Sequence, residues 1–462
     1  MNALTPTLLA ARAVGALARR AGRGGGTSLP GKVLMRLDPA AIGTLARRLP
    51  AGSAVISATN GKTTSAAMAA AILTRTGTRL VHNRAGANMA GGVASTLLDA
   101  ARPGGRIHGE LGLFEVDEFW LERVVAELDP RALLLGNLFR DQLDRFGELE
   151  SIADRWAAVV ARRAGRSQLV LNADDPLIAD LGREQPDVLY FGVEDDAMAL
   201  PGLQHASDSK HCRRCGTPYA YEAAYLAHLG RYRCPDCGRR RPELHVAAER
   251  VVLHGTRGAS VRLRTPAGTA ELELPHPGLY NVYNALGAAA LCLALGAPLA
   301  DVVAGLEEVA AAFGRAETIA VGGRPLSILL VKNPAGANEV LRTLALEEGE
   351  LDLLLVLNDN TADGHDVSWV WDADFEVLAP RSRRITCAGT RAHEMALRLK
   401  YAGVPAERLH VLPDLGDALD AALADGSGAL YALPTYTALL ALRAELAKRG
   451  EVGRFWESAL PA

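Results

Sequence analysis

Ser53-Ala54-Val55-Ile56-Ser57-Ala58-Thr59-Asn60-Gly61-Lys62-Thr63-Thr64 is the stretch on which the fold turns. Its first five residues read as a buried strand, and Thr63 to Thr76 reads as an Ala-rich helix. A tight turn ending in Gly-Lys-Thr between such elements is where a phosphate-binding loop belongs. Backbone N–H groups at a helix N-terminus face an anion, and the helix dipole favours it. Gly61 would let the backbone approach closely, Lys62 would pair with the β- and γ-phosphates, and the Thr63 hydroxyl would ligate Mg²⁺. The longer G-x-x-x-x-G-K-[ST] pattern is broken, because Ile56 stands at its first glycine position.

Outward from this loop, strand and helix signals alternate to about residue 200, with Ala132 to Leu135 and Gln168 to Leu171 as examples. Such alternation predicts a parallel sheet covered by helices on both faces. Residues 205–245 interrupt the pattern with paired cysteines and many basic residues. Val251 to Leu253 and Ala270 to Leu274 read as short strands, and Asn281 to Leu295 as an apolar helix. Beyond Gly314-Arg315 the runs Leu326–Val331, Leu351–Leu357, Arg384–Cys387 and Ala429–Leu433 read as strands with helices between them. The expected architecture is therefore α/β: an N-terminal helical segment (1–45), a central phosphate-loop domain (46–313) and a smaller C-terminal α/β domain (314–462).

The 462 residues are 49% hydrophobic and 22% charged, as in soluble globular chains with large cores. A net charge of −3 gives no global field favouring nucleic acid. Residues 1–23 hold Arg12, Arg19, Arg20 and Arg23 without an acid, and Arg12 interrupts what would be the apolar core of an export signal. This segment reads as a docked amphipathic helix with a solvated basic face, in preference to a helix drawn to anionic lipid.

Cys212-Arg-Arg-Cys215-Gly216 and Cys234-Pro-Asp-Cys237-Gly238 have the spacing of a zinc ribbon. Two glycine-ended knuckles would bring four thiolates to one Zn²⁺ and leave no open coordination position, which makes the site structural. Arg213, Arg214, Arg231, Arg233, Arg239, Arg240 and Arg241 surround it. They admit a nucleic-acid reading, a zinc-ribbon nucleic-acid-binding ATPase, but the net charge weighs against it.

Ala58 to Thr64 resembles the G-T-N-G-K-T-T loop of Mur ligases and folylpolyglutamate synthases, with alanine for the first glycine. Further matches follow in family order: Glu115-Val116-Asp117-Glu118, whose first glutamate corresponds to the family's Mg²⁺ ligand; Asn137 with Asp141-Gln142-Leu143-Asp144; Asn172-Ala173-Asp174-Asp175-Pro176; Gly278 through Asn281 to Asn284-Ala285; and Gly314-Arg315. The resemblance implies an ATP site formed by Thr59, Asn60, Gly61, Lys62, Thr63, Thr64, Asn281 and Arg315, with Mg²⁺ at Thr63 and Glu115. Two features depart from the peptide-adding members. Ala153-Asp154-Arg155-Trp156 lacks the lysine, often carbamylated, expected there, and arginine cannot replace it because its guanidinium stays protonated. Fewer than 60 residues precede the loop, so the nucleotide-sugar domain is missing.

Both departures fit one branch of the family. Asp359-Asn360-x-Ala362-Asp363-Gly364-x-Asp366-Val367-Ser368-Trp369, Lys332-Asn333-Pro334, Arg398 to Gly403, Leu433 to Ala438, Gly25 to Lys32, Asn83 to Asn88 and the four-cysteine insertion resemble the MurT subunits of lipid II isoglutaminyl synthase. That resemblance implies ATP-dependent amidation of the D-glutamate α-carboxylate of the lipid II stem peptide, with ammonia from a GatD-type glutamine amidotransferase partner in a heterodimer. It also implies that an aspartate of the acidic segment (Asp359, Asp363 or Asp366) completes the partner's triad, and that ATP, Mg²⁺ and Zn²⁺ are bound. The enzyme would be cytoplasmic, at most peripheral to the inner face of the plasma membrane, and would bind no nucleic acid. The rival within the enzymes is an amino-acid-adding ligase like folylpolyglutamate synthase.

Overall fold

The computed structural model describes residues 4–20, 28–83, 87–141, 149–205, 207–309, 315–424, 426 and 428–452. Eleven strands precede residue 275: β1 (Ser53–Ser57), β2 (Leu80–His82), β3 (Leu111–Glu115), β4 (Ala132–Leu135), β5 (Gln168–Asn172), β6 (Val188–Val193), β7 (Ala220–Leu226), β8 (Leu229–Arg233), β9 (Val246–Leu253), β10 (Ala259–Thr265) and β11 (Gly268–Leu274). Nine of them form one sheet in the order β11-β10-β9-β6-β5-β4-β1-β3-β2. From β2 to β9 the neighbours are parallel, and β9-β10-β11 is an antiparallel edge. β1, β3 and β4 are buried along their whole length, which is why they read as apolar runs rather than alternating strands.

β1 lies between β3 and β4, where strand order reverses. Ligands of open α/β sheets sit beyond the carboxyl ends of strands at such a switch point. The Lys62–Arg75 helix packs back on the sheet there, covered in turn by the Leu279–Ala294 and Leu299–Glu308 helices. Trp156 of the Leu149–Arg162 helix is 1% exposed and donates its indole N–H to the Glu118 carbonyl at 3.0 Å. Truncating so large a buried ring costs about 3–5 kcal/mol.

The second sheet holds β12 (Arg315–Val321), β13 (Arg324–Leu329), β14 (Leu351–Val356), β15 (Ser382–Ala388), β16 (Leu409–Val411) and β17 (Leu430–Pro434), in the order β12-β13-β17-β14-β15-β16. All neighbours are parallel except β12-β13. β14 lies between β17 and β15, so this sheet has a switch point too, and the acidic segment leaves from it. β7 and β8 form a separate two-stranded sheet and carry the second cysteine pair at their end.

The Leu4–Arg20 helix docks through Leu8 and Ala11, which are buried. Of the expected solvated basic face only Arg12 has a described side chain; the side chains of Arg19 and Arg20, and all of Arg23, lie outside the described residues. Arg12 turns inward to the carbonyls of Leu98 and Ala101, while Leu9 and Leu17 face solvent.

Candidate active site

The turn from β1 into the Lys62–Arg75 helix is held from three sides. Asn137, just past β4, accepts from the Asn60 N–H at 2.8 Å and donates to the Asn60 carbonyl at 3.0 Å. Thr59 accepts the Phe139 N–H at 3.1 Å. Gly61 has φ +84°, and a Cβ there would lie 1.9 Å from Asn284 Oδ1. Only glycine meets both the left-handed backbone and this close approach. Asn284 is oriented by Asn281, whose amide oxygen accepts from it at 3.0 Å and whose own amide reaches the Pro277 carbonyl. Asn281 thus shapes the loop through Asn284 and does not touch it.

Lys62 donates to the Glu118 carboxylate at 2.7 Å and to the carbonyls of Ala58 and Thr59. Burial alone would lower its pKa, but the carboxylates of Glu118, Asp117 and Glu115 outweigh that and raise it. Lys62 therefore stays cationic. Asp117 is pushed up by burial and by neighbouring Glu118.

Thr63 donates its hydroxyl to Glu115 Oε1 at 3.0 Å, and Asn88 Nδ2 reaches the same oxygen at 3.3 Å. Asn83 clamps the backbone of Glu115, donating to its carbonyl at 2.8 Å and accepting its N–H at 2.9 Å. A hydroxyl, a carboxylate and an amide oxygen donor set beside a phosphate loop suits a hard divalent cation such as Mg²⁺. Thr64 is buried inside the first turn of the helix.

A second lysine, which the sequence presents without a role, enters from the C-terminal sheet. Lys332 donates to Asp141 Oδ2 at 2.6 Å and to the Thr59 carbonyl at 3.2 Å. Its neighbour Asn333 exchanges side-chain hydrogen bonds with Asn60, the better one at 3.0 Å, and caps the Pro334–Leu344 helix through the Gly336 N–H. The two sheets thus meet on the phosphate loop. At the position of the family's missing lysine, Ala153 and Trp156 are buried core residues. Gln142, Leu143, Asp144 and Gly314 lie outside the described residues, as do Gly25–Thr27 and Arg84–Gly86. Arg315 opens β12, and its side chain is likewise undescribed.

The sulfurs of Cys212, Cys215, Cys234 and Cys237 lie within 4.8 Å of one another. Gly216 and Gly238 adopt φ +76° and +73°, as two matching knuckles require. Tetrahedral zinc with Zn–S near 2.3 Å places its sulfurs about 3.8 Å apart, so the set fits the metal. The arginines around it are largely paired with acids: Arg213 with Asp154, Arg231 with Asp196, Arg239 with Asp180, and Arg241 with buried Asp174. The segment leading into Cys212 also reaches the site, because Asp208 accepts the Arg140 N–H at 3.0 Å and holds its guanidinium.

The acidic segment lies at the other switch point. Asp363 is buried and accepts from the Thr437 N–H at 2.7 Å and from the Thr437 hydroxyl, which anchors the start of the Tyr436–Lys448 helix. Asp359 is held by the Thr390 hydroxyl at 2.8 Å and by Arg391 at 2.8 Å, and these keep its carboxyl below the usual range. Asp366 is exposed, and the Ser368 hydroxyl together with the Ser368 N–H, which donates to its Oδ1 at 2.8 Å, lowers its pKa as well. The structure therefore separates buried Asp363 from half-buried Asp359 and exposed Asp366.

Family comparisons agree with this layout. The Mur ligase middle domain matches residues 56–234, and the MurT ligase C-terminal domain matches residues 330–439. The chain is 33% identical over 443 residues to the lipid II isoglutaminyl synthase (glutamine-hydrolyzing) subunit MurT of Streptococcus pneumoniae, covering 96% of each chain. It is 32% identical to the subunit of the same name from Staphylococcus aureus, over 95% of this chain and 97% of that one. Among solved structures, a pseudomurein peptide ligase type C from Methanothermus fervidus superposes with a TM-score of 0.65 at 20% identity, covering 86% of this chain and 78% of that one. That likeness concerns the fold.

Proposed function

The chain belongs to the MurT family of Mur ligase-like, ATP-dependent ligases of peptidoglycan synthesis, and on that premise we propose that it amidates the D-glutamate α-carboxylate of the lipid II stem peptide. The observation that carries this reading is the phosphate loop with Lys62, Thr63 and Glu115 facing one space, joined by Lys332 from the second sheet. A carboxylate is a poor electrophile. One of its oxygens attacks the γ-phosphorus of ATP, the bond to ADP breaks, and an acyl phosphate results. Lys62 leaves Glu118 for the β- and γ-phosphate oxygens and stabilises the charge in transfer. Thr63 and Glu115 would hold a Mg²⁺ ion, whose charge would offset that of the phosphates. Lys332 is placed to meet the carboxylate or the transferred phosphoryl group. Ammonia then attacks the acyl carbon, phosphate departs, and the nitrogen loses its extra proton to give D-isoglutamine.

Ammonia is mostly protonated at neutral pH, so a GatD-type glutaminase delivering it locally suits the reaction. An accessible aspartate of the acidic segment, Asp359 or Asp366, would orient the histidine of that partner. The four thiolates would hold a structural zinc. The test is to supply lipid II, ATP and either ammonium or glutamine plus the partner subunit, and to follow conversion of the stem-peptide carboxylate to a carboxamide by mass spectrometry. Addition of an amino acid in place of the amide would overturn the reading in favour of a folylpolyglutamate synthase-like ligase.

A further inference from the structure

The first helices present a surface that the chemistry above does not use. Leu9, Ala13 and Leu17 are exposed at successive turns of the Leu4–Arg20 helix, with Leu9 51% and Leu17 64% accessible. Residues at that spacing share one helix face. Beside it, the Leu29–Leu37 helix exposes Leu29, Lys32 and Arg36 at the same kind of spacing. Residues 1–37 contain Arg12, Arg19, Arg20, Arg23, Lys32 and Arg36 and no acid, in a chain whose net charge is −3. Exposed apolar side chains beside exposed Lys32 and Arg36, in a stretch without an acid, are complementary to an anionic lipid surface.

The position of this face matters as well. The Leu29–Leu37 helix crosses the Ala90–Ala100 helix at closest range: a Cβ on Gly31 would lie 1.9 Å from the Gly91 carbonyl oxygen, and the Gly31 N–H donates to Ser95 Oγ at 2.8 Å. Lys32 lies along Gly91. Two residues earlier stands Met89, 46% exposed, and next to it Asn88 bonds Glu115. The apolar–basic face therefore borders the magnesium end of the phosphate site. No helix among the described residues is long and apolar enough to cross a membrane, so contact would be in the plane of the surface.

We infer that the Leu4–Arg20 and Leu29–Leu37 helices lay the enzyme on an anionic phospholipid surface, through Leu9, Leu17 and Leu29 in the acyl boundary and Lys32 and Arg36 at the headgroups. The test uses full-length protein sedimented with vesicles of phosphatidylcholine alone or mixed with phosphatidylglycerol, free of any peptidoglycan precursor. The result is thus independent of whether the amidation reading holds. Wild type should partition onto the mixed vesicles and be released by salt. Lys32→Gln with Arg36→Gln should weaken that partition roughly 25-fold, since each basic residue near such a surface is worth a factor of about five. Leu9→Gln with Leu17→Gln should also weaken it, and Lys32→Arg with Arg36→Lys should preserve it. All these positions are exposed, so thermal unfolding should be unchanged. Absence of binding to the mixed vesicles at low salt, or partition indifferent to these changes, overturns the inference. So does loss of the glutaminase subunit on copurification while vesicle partition stays intact, because the face would then be a protein interface.

Discussion

Lys62 and Glu118 form a buried ion pair, with 2.7 Å between Nζ and Oε2 and side chains only 10% and 8% exposed. The lysine proposed to meet phosphate is thus already held by a carboxylate, which nucleotide would have to displace to gain it. Pairing keeps the ammonium charged and extended in a site where burial alone would favour the neutral amine.

Lys62→Ala should abolish ATP-dependent amidation, because it removes the charge aimed at the transferring phosphoryl group. It should also strand Glu118, and breaking a buried pair from one side costs about 3–5 kcal/mol. Lys62→Met with Glu118→Gln separates the two effects: stability by thermal unfolding should recover most of the loss, and turnover should not. Near-normal turnover in Lys62→Ala would remove the phosphate loop from the mechanism.

One zinc per chain should appear on elemental analysis of the purified protein. Cys234→Ser should lower metal content and unfolding temperature, with a smaller effect on the rate of the fraction still folded, because structural zinc adds folding free energy. The segment that leads into Cys212 meets the chemistry through Asp208, which holds Arg140 one residue before Asp141 and its Lys332 partner. Metal-free protein of full stability would refute a structural role.

Glu339 gives a pH prediction. It is 1% exposed, neither carboxylate oxygen has a hydrogen-bond partner, and the Arg342 guanidinium stands 3.8 Å away. Burial pushes its pKa up to about 7. A carboxyl whose folded pKa exceeds its unfolded one binds more protons when folded, so its contribution is fully present below the unfolded pKa. It is lost as pH rises through about 7. Glu339→Gln should therefore unfold at a higher temperature than wild type at pH 8, and the gap should narrow as pH falls below 7 and close below the unfolded value of 4.5. A gap independent of pH would mean that Glu339 titrates normally.

The phosphate loop and the cysteine set were legible because each is local: a buried run into Gly61-Lys62-Thr63, and two C-x-x-C pairs ended by glycine. The two sheets followed from strand and helix alternation. β2 and β16, three residues each, are too short for any period to show. The chemistry that escaped is non-local. Lys332 lies 273 residues from Thr59, and only the parallel packing of β13 brings its motif to the loop. Glu118 stands in an acidic run where Glu115 alone drew attention, and nothing in that run states that it turns toward Lys62. Arg12 reads as a solvated cation in the sequence, whereas backbone carbonyls at the end of the Ala90–Ala100 helix bind it.

The acidic segment allows the division of labour between subunits to be tested residue by residue. An aspartate that completes the partner's triad must be accessible, and its replacement by Asn must damage ammonia production and leave carboxylate activation alone. Asp359→Asn and Asp366→Asn should each be assayed with glutamine plus partner and with high ammonium. The triad member should lose glutamine-dependent activity by up to about 10⁴, the scale known for a triad aspartate replaced by Asn in an unrelated enzyme. Its ammonium-dependent activity should survive, because the acyl phosphate still forms. Asp363→Asn should behave differently: it loosens the bonds to Thr437 at the start of the Tyr436–Lys448 helix, so stability and both activities should fall together. If Asp359 and Asp366 variants lose both activities equally, the segment belongs to the ligase site. If neither variant loses glutamine-dependent activity, the partner supplies its own third residue.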